Sequence, residues 1–312
     1  MSALVCGSMA YDNIMVFEDR FKDHILPDQI HILNISFLVP TLRKEFGGCA
    51  GNVAYNLRLL GGSGYAMATV GADFTNYQRW FAEQEIDTRY ITEIESEFTA
   101  QAYITTDLDD NQITAFHPGA MNQSHINKVP DDAGITIGMV SPDGRQGMIV
   151  HAEQFVAGGI PFIFDPGQGM PMFDGEDLRR FIKQATWVAV NDYESQMLQQ
   201  RTGWSAKEIA AELEALIVTR GAEGSYIYTD GGLLEIPAAK PEAIQDPTGC
   251  GDAYRAGLLF GLMNGLAWEA TGRLAALLGA IKIAHKGTQN HHFTRASIKA
   301  DYTSQFGQTL DI

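Results

Sequence analysis

The residues from Gln245 to Gly265, QDPTGCGDAYRAGLLFGLMNG, have the make-up of a site for negative charge. Asp246-Pro247-Thr248-Gly249 reads as a turn. A helix with Leu258, Leu259 and Leu262 on its inner side begins near Gly251. Gly249, Cys250 and Gly251 carry small side chains or none, so their amides can converge on an anion. The helix adds the positive end of its dipole. Asp252 falls in the first turn, where a carboxylate could take a proton from a hydroxyl while the amides hold charge on a transferring group. A lone Gly-x-Gly-Asp is most often an ordinary helix start. The preceding Asp turn and the long apolar helix tilt the reading toward catalysis.

Four further segments carry polar groups at expected strand ends. EFGGCAGNVAYNLRLLGG, Glu45 to Gly62, places Gly47, Gly48 and Gly51 where backbone can come close to a ligand. Asn52 follows, and its amide can bond vicinal hydroxyls as donor and acceptor. Taken alone, a tight turn with an Asn cap explains it better. In CGSMAYDNI, a strand ends at Gly7 and Asp12 lies in the loop beyond, suited to sugar hydroxyls or simply solvated. In VAVNDYESQML, Asn191 and Glu194 open a helix. They could hold hydrated Mg²⁺ or form a capping box. In LIVTRGAEGSYIY, Thr219, Gly221 and Gly224 form a turn over which a nucleotide could lie, or a plain glycine hairpin.

The elements that would position these groups alternate. Ala3–Gly7, Ala66–Val70, Thr136–Ser141, Pro161–Asp165, Trp187–Val190 and Leu216–Thr219 are short apolar runs, as strands buried on both faces are. Gly51–Leu60 and Ser205–Ala215 read as helices, the second opening with Ser205 and Glu208 in capping-box spacing. The pattern predicts an α/β fold, Rossmann-like, with a mainly parallel sheet and helices on both faces. Ligands then sit at the carboxyl ends of the strands. Ile30–Val39 and Gln101–Phe116 break the rhythm. They are rich in β-branched and aromatic residues, and DLDDNQ in the second signals a hairpin. They predict a small antiparallel sheet, serving as a lid or else an edge extension or dimer contact, within one domain over 1–312 with inserts at about 14–46 and 96–119.

The net charge of −16 repels nucleic acid and anionic membrane at long range. Three cysteines, widely spaced, suggest neither a disulfide framework nor a zinc motif. MSALVCGSMAYD lacks the basic-then-apolar order of a secretory signal, and no apolar run reaches the roughly 18 residues of a membrane span. LAALLGAIKIAHKG, the most apolar stretch near the C-terminus, is interrupted by Lys282. A cytoplasmic location is the expectation.

The five segments occur in an order that resembles the ribokinase (PfkB) family of carbohydrate and nucleoside kinases, over about residues 5–287. GGCAGNVAYNLRLLGG and DPTGCGDAYRAG carry the resemblance. The second departs from the usual D-T-x-G-A-G-D at Pro247 and Cys250, small changes that preserve the amide geometry. The resemblance implies a ribokinase-like fold with a β-sheet lid and transfer of a phosphoryl group from ATP. By the same resemblance Asp252 is the base, and Gly249, Cys250 and Gly251 form the anion hole. Asn191 and Glu194 match a motif associated with Mg²⁺, held through water. Thr219, Arg220, Gly221 and Gly224, with Asn191, line the ATP side, Arg220 being unusual there. Asp12, Gly48 and Asn52 match positions that bind sugar hydroxyls. Some members use a monovalent cation such as K⁺ near the residue that is Asp246 here. Within the family the similarity is greatest to adenosine and nucleoside kinases. That adds Ser8 as a polar contact, Phe116 as an aromatic that could stack on a purine, and Gln29 as a candidate for base recognition. The alternatives are a sugar kinase of the same family, of ribose or fructose type, and a non-catalytic nucleoside sensor. A homodimer through the lid is a further expectation.

Overall fold

In the computed structural model, which describes residues 2–25, 34–109, 111–131 and 134–312, the apolar runs become strands of one large sheet. In chain order the strands are β1 (Ser2–Cys6), β2 (Ala10–Val16), β3 (Thr41–Gly47), β4 (Ser63–Gly71), β5 (Ile91–Ile94), β6 (Ala100–Thr106), β7 (Gln112–His117), β8 (Ile135–Val140), β9 (Phe162–Phe164), β10 (Trp187–Asn191), β11 (Ala215–Thr219), β12 (Ser225–Thr229) and β13 (Gly232–Ile236). Among the described residues the large sheet runs β13-β12-β11-β10-β9-β8-β1-β4-β5. Its strands are parallel from β5 to β11, and β12 and β13 close one edge antiparallel.

Ten helices accompany them among the described residues: α1 (Phe21–His24), α2 (Cys49–Leu59), α3 (Thr75–Glu83), α4 (Arg145–Ala157), α5 (Gly175–Gln184), α6 (Asp192–Thr202), α7 (Ala206–Ala211), α8 (Cys250–Met263), α9 (Trp268–Ile283) and α10 (Arg295–Phe306). Two apolar layers flank the sheet. Along β1, Ala3 and Val5 join the layer with α2, α3, α8, α9 and α10, while Leu4 and Cys6 join the layer with α4, α5 and α6. This is the period of two expected of a strand covered on both faces. Among the described residues no helix is long and apolar enough to cross a membrane.

The second, smaller sheet has the order β3-β2-β6-β7. The hairpin expected around DLDDNQ is present as β6 and β7. Two expectations are corrected. The sheet is mixed, not antiparallel throughout, because β2 pairs with β6 in parallel. And residues 34–40 form no strand; the strand lies later, at Thr41–Gly47 (30–33 are outside the described residues). Arg43, Lys44 and Glu45 give that strand a charged look that hides it from an apolar-run reading. Asp12 is also corrected: it sits within β2, not in a loop. The helix expected over Ser205–Ala215 does open on a Ser205–Glu208 capping box, but ends at Ala211 because Ala215 already belongs to β11.

Gly48 joins the two sheets. Its φ of +89° is in the left-handed region, and a Cβ there would lie 2.6 Å from Met9 Cα and from the Ser8 carbonyl oxygen. The backbone it lets in is the chain's own, at the crossover from β1 to β2. Gly48→Ala is therefore expected to lower the unfolding free energy by about 1–3 kcal/mol. Urea denaturation checks this, and a change below a few tenths would show that the crossover has room.

Candidate active site

Asp252 lies in the first turn of α8, whose N-cap, Gly249, is left-handed at φ +78°. The helix points its N-terminus at the carboxyl edge of the large sheet, next to the start of α2. Asn52 of α2 donates from Nδ2 to Asp252 Oδ2 at 2.7 Å. The direction of that bond is fixed from outside. An indole N–H can only donate, and Trp80 Nε1 donates to Gln289 Oε1 at 2.9 Å. Gln289 must then present its NH₂ on the other side, and it donates to Asn52 Oδ1 at 2.9 Å. Asn52 is left with its own NH₂ toward the carboxylate. Gln289 takes one of the two acceptor positions of Asn52 Oδ1, so the amide is held in place from both ends.

Burial pushes the Asp252 carboxyl up to about 6, with Asp165 adding to the rise and Asn52, Arg255 and the Cys49 thiol opposing it. Arg255 lies three residues on along α8 and is buried. It is held bidentately by Asp165 at the end of β9, Nε to Oδ2 at 2.9 Å and Nη2 to Oδ1 at 3.0 Å. It also donates to the Ala189 carbonyl of β10 at 3.2 Å, and Glu194 stands 3.9 Å away. Burial works against its charge, but Asp165 and Glu194 outweigh that and hold the guanidinium protonated. Neither Arg255 nor Asp165 was identified from sequence. A single arginine in the apolar helix DAYRAGLLFGLM, and an acid closing the buried strand PFIF, were the available signs.

Of the three residues expected to form an anion hole, Cys250 has its amide engaged, donating to Pro247 O at 3.2 Å. The amides of Gly251 and Asp252 belong to the first turn, where helix geometry provides no intrahelical partner. Asn191 and Glu194 do form a capping box: Glu194 N donates to Asn191 Oδ1 at 2.7 Å, and Asn191 N to Glu194 Oε2 at 2.8 Å. Among the described residues no group of three His, Cys, Asp or Glu side chains is placed to hold a metal directly.

Ser8 receives the amides of α2, Cys49 N at its Oγ at 3.2 Å and Ala50 N at its carbonyl at 3.0 Å. Its cap role is local, whatever else its hydroxyl donates to. Thr219 ends β11 and its hydroxyl donates to Val190 O at 3.4 Å. Arg220 pairs with Glu223 at 2.9 Å and covers the Tyr226 ring at 3.8 Å. It lies along its own turn. Gly224 is required by a close approach, since a Cβ would stand 2.1 Å from the Ile236 carbonyl oxygen. Gln29 lies outside the described residues.

The small sheet contributes one row of side chains. Glu45 pairs with Asp12, Asp12 with Ala102, and Ala102 with Phe116. Residues in register across a sheet share a face, so Asp12 and the half-exposed Phe116 look the same way. Burial, with Asp246 and Glu45 nearby, pushes the Asp12 carboxyl up to about 6.

A second buried cation lies behind the anion-site turn. Lys282, near the end of α9, is fully buried and donates from Nζ to Asp246 O at 2.8 Å and to His285 O at 3.1 Å.

Removing one partner of a buried pair strands the other charge. Arg255→Ala is expected to cost about 3–5 kcal/mol in urea unfolding. In the Asp165→Ala/Arg255→Ala double variant the losses should fall short of their sum by about 1–3 kcal/mol. Strict additivity would mean that the two residues are not coupled.

The pfkB family carbohydrate kinase model matches residues 11–294. The nucleoside kinase of Methanocaldococcus jannaschii is 32% identical over 260 residues, covering 83% of this chain and 85% of that one. A structure of Burkholderia thailandensis nucleoside kinase in complex with inosine is 52% identical and superposes with a TM-score of 0.90, over 98% of this chain and 99% of that one. The crystal structure of the Methanocaldococcus jannaschii enzyme, 30% identical, superposes with a TM-score of 0.88 over 97% and 98%. With its ribokinase-like fold and a family match over most of its length, the chain belongs to the pfkB family of carbohydrate kinases, phosphotransferases that act on a hydroxyl group.

Proposed function

We propose that this protein is an ATP-dependent nucleoside kinase that phosphorylates the 5′-hydroxyl of adenosine or a related nucleoside. The observation that carries the reading is the Asp252 carboxylate, oriented by Asn52 at 2.7 Å in the first turn of α8. A base there can take the proton of an attacking hydroxyl while amides and dipole face the phosphoryl group. The face carrying Asp12 and Phe116 suits a nucleoside: a carboxylate for ribose hydroxyls two strands from an aromatic for a base. The likeness to nucleoside kinases, one of them crystallised with inosine, supports it.

The nucleotide would lie over Thr219, Arg220, Gly221 and Gly224, beside Asn191. Mg²⁺ fits as a hydrated ion. Among the described residues Glu194 accepts its hydrogen bond at Oε2, so Oε1 can take a metal-bound water despite the capping box. The ion would supply charge neutralisation for the phosphates. Asp252 then receives the proton, and the small sheet closing over the sugar would exclude water.

The cations of the small-sheet region are committed elsewhere. Lys22 pairs with Asp109, Arg43 with Glu45, and Lys44 covers Tyr11. Among the described residues these commitments disfavour a phosphosugar substrate. Leu42, Tyr103 and Ile113 are exposed on the sheet face opposite Asp12, which supports a homodimer through this sheet.

Two outcomes test the reading. ADP release with ATP and Mg²⁺ should occur with adenosine, inosine, guanosine or cytidine and be lost in Asp252→Asn by about 10²–10⁴-fold in kcat. Turnover of ribose or fructose alone would mean a sugar kinase, and nucleoside binding without turnover would mean a sensor. A base must be ionised to act. With Asp252 pushed up to about 6, kcat/KM should be level above that pH and fall about tenfold per unit below it. A flat profile down to pH 4.5 would remove Asp252 from that role.

A further inference from the structure

The geometry points to Lys282 as a tethered cation: its ammonium is held by two carbonyls behind the Asp246 turn, in place of a free monovalent ion, and positions the turn that leads into α8. This deepens the kinase reading and rests on it only where activity is measured.

The family resemblance raises a K⁺ ion near Asp246, and the residues here do not fit one. Two carbonyls at this turn, Asp246 O and His285 O, already accept from Lys282 Nζ, where a free cation would have to compete with a covalently held one. The side chain is fully buried. Burying a lone ammonium is costly, and the surroundings offset it in three ways. The amine sits at the C-terminal end of α9, where the dipole favours a cation and carbonyls lack intrahelical partners. Burial holds the Lys282 pKa below the usual lysine value, while the Asp246 carboxylate and Glu45 favour its charge and Arg43 opposes it. And Asp246 is held as the anion. Burial works against it, but the amides of Gly287 and Thr248, each at 2.9 Å, together with Lys282, keep its carboxyl below the usual range.

Both ends of Asp246 are therefore fixed, its carbonyl by the ammonium and its carboxylate by two amides. The next residues have no freedom to drift: Gln245 and Asp246 donate to Ile283 O at 2.9 and 3.1 Å, and Cys250 donates to Pro247 O at 3.2 Å. The chain from Asp246 to Gly249 thus transmits the position of α9 to the first turn of α8. Lys282 touches no reacting group; it acts through Asp246. An ammonium and a potassium ion are of similar size and prefer similar oxygen cages, so removing the tethered one should create a site for the free one.

The experiment compares the wild type with Lys282→Met, of similar length and uncharged. Replacing K⁺ and Na⁺ by tetramethylammonium at constant ionic strength should leave wild-type kcat within about twofold and its Tm unmoved, because no ion binds. Lys282→Met should lose about 100-fold in kcat. Millimolar K⁺ or NH₄⁺, but not tetramethylammonium, should restore much of it saturably and raise Tm in parallel. Activation of the wild type by K⁺ beyond about fivefold would overturn the proposal. So would a folded Lys282→Met with near-wild-type kcat, or a loss that neither ion repairs. If Lys282→Met does not fold, Lys282→Gln is measured in the same way. The Tm arm needs no substrate, so it stands apart from any failure of the nucleoside assay.

Discussion

A carboxylate base and the phosphoryl group it serves repel each other. Two like charges about 4 Å apart cost about 4 kcal/mol at an effective dielectric of 20. In the proposed reaction Asp252 must hold its charge there nonetheless, in a half-buried position. The groups around it answer this conflict. The N-terminus of α8 faces the same point as the carboxylate. Arg255 places a permanent cation one turn behind it, and Asn52 supplies a donor whose orientation is fixed. Burial drives the Asp252 pKa up, and Asn52 and Arg255 oppose that, leaving it at about 6. The result is a carboxylate ionised at neutral pH yet close enough to it to accept a proton, as the proposed reaction requires.

That arrangement needs segments far apart in sequence to meet, and the stretch after α9 brings them together. Gly287 N donates to Asp246, Thr288 Oγ1 to Phe46 O, Gln289 to Asn52, and Asn290 to Glu45 at 2.8 Å. One short stretch thus ties the turn before α8, the start of α2 and strand β3 of the small sheet. Motion of that sheet relative to α8 must either preserve these bonds or break them together. Gly48 serves the same junction from the other side, admitting the Ser8–Ala10 backbone.

The architecture was legible because strands buried on both faces produce short apolar runs, and a capping box announces itself over four residues. The Asp252 turn was legible because small residues before an acidic helix start are locally constrained. What sequence reading missed is non-local. β3 is a charged strand whose pairing with β2, not its composition, makes it one. Nothing near Asn52 in sequence reveals that Gln289, more than two hundred residues away, bonds its oxygen and fixes the direction of its amide. Lys282 served only to interrupt an apolar run, and Arg255 passed unremarked. Both are charges whose burial is decided by tertiary partners. An isolated charge in an otherwise apolar helix is therefore informative: it must either reach solvent or find a partner, and here Arg255 finds Asp165 and Lys282 finds the carbonyls of the Asp246 turn.

The overall charge acts on a different scale from these contacts. At −16 the protein repels an anionic nucleotide from a distance, and two buried cations near the proposed anion site are committed internally, Arg255 to Asp165 and Lys282 to main-chain carbonyls of the Asp246 turn. Local attraction must then come from main-chain amides, a helix dipole and a metal ion carried by the nucleotide. Such neutral donors do not hold a counter-anion between turnovers as an exposed cluster of lysines would. Salt screens the long-range repulsion over about 8–10 Å while leaving buried pairs nearly untouched. Moderate ionic strength therefore relieves the encounter without loosening the positioning network around Asp252. An acidic surface and a phosphate-handling site are compatible because one governs approach and the other governs contact.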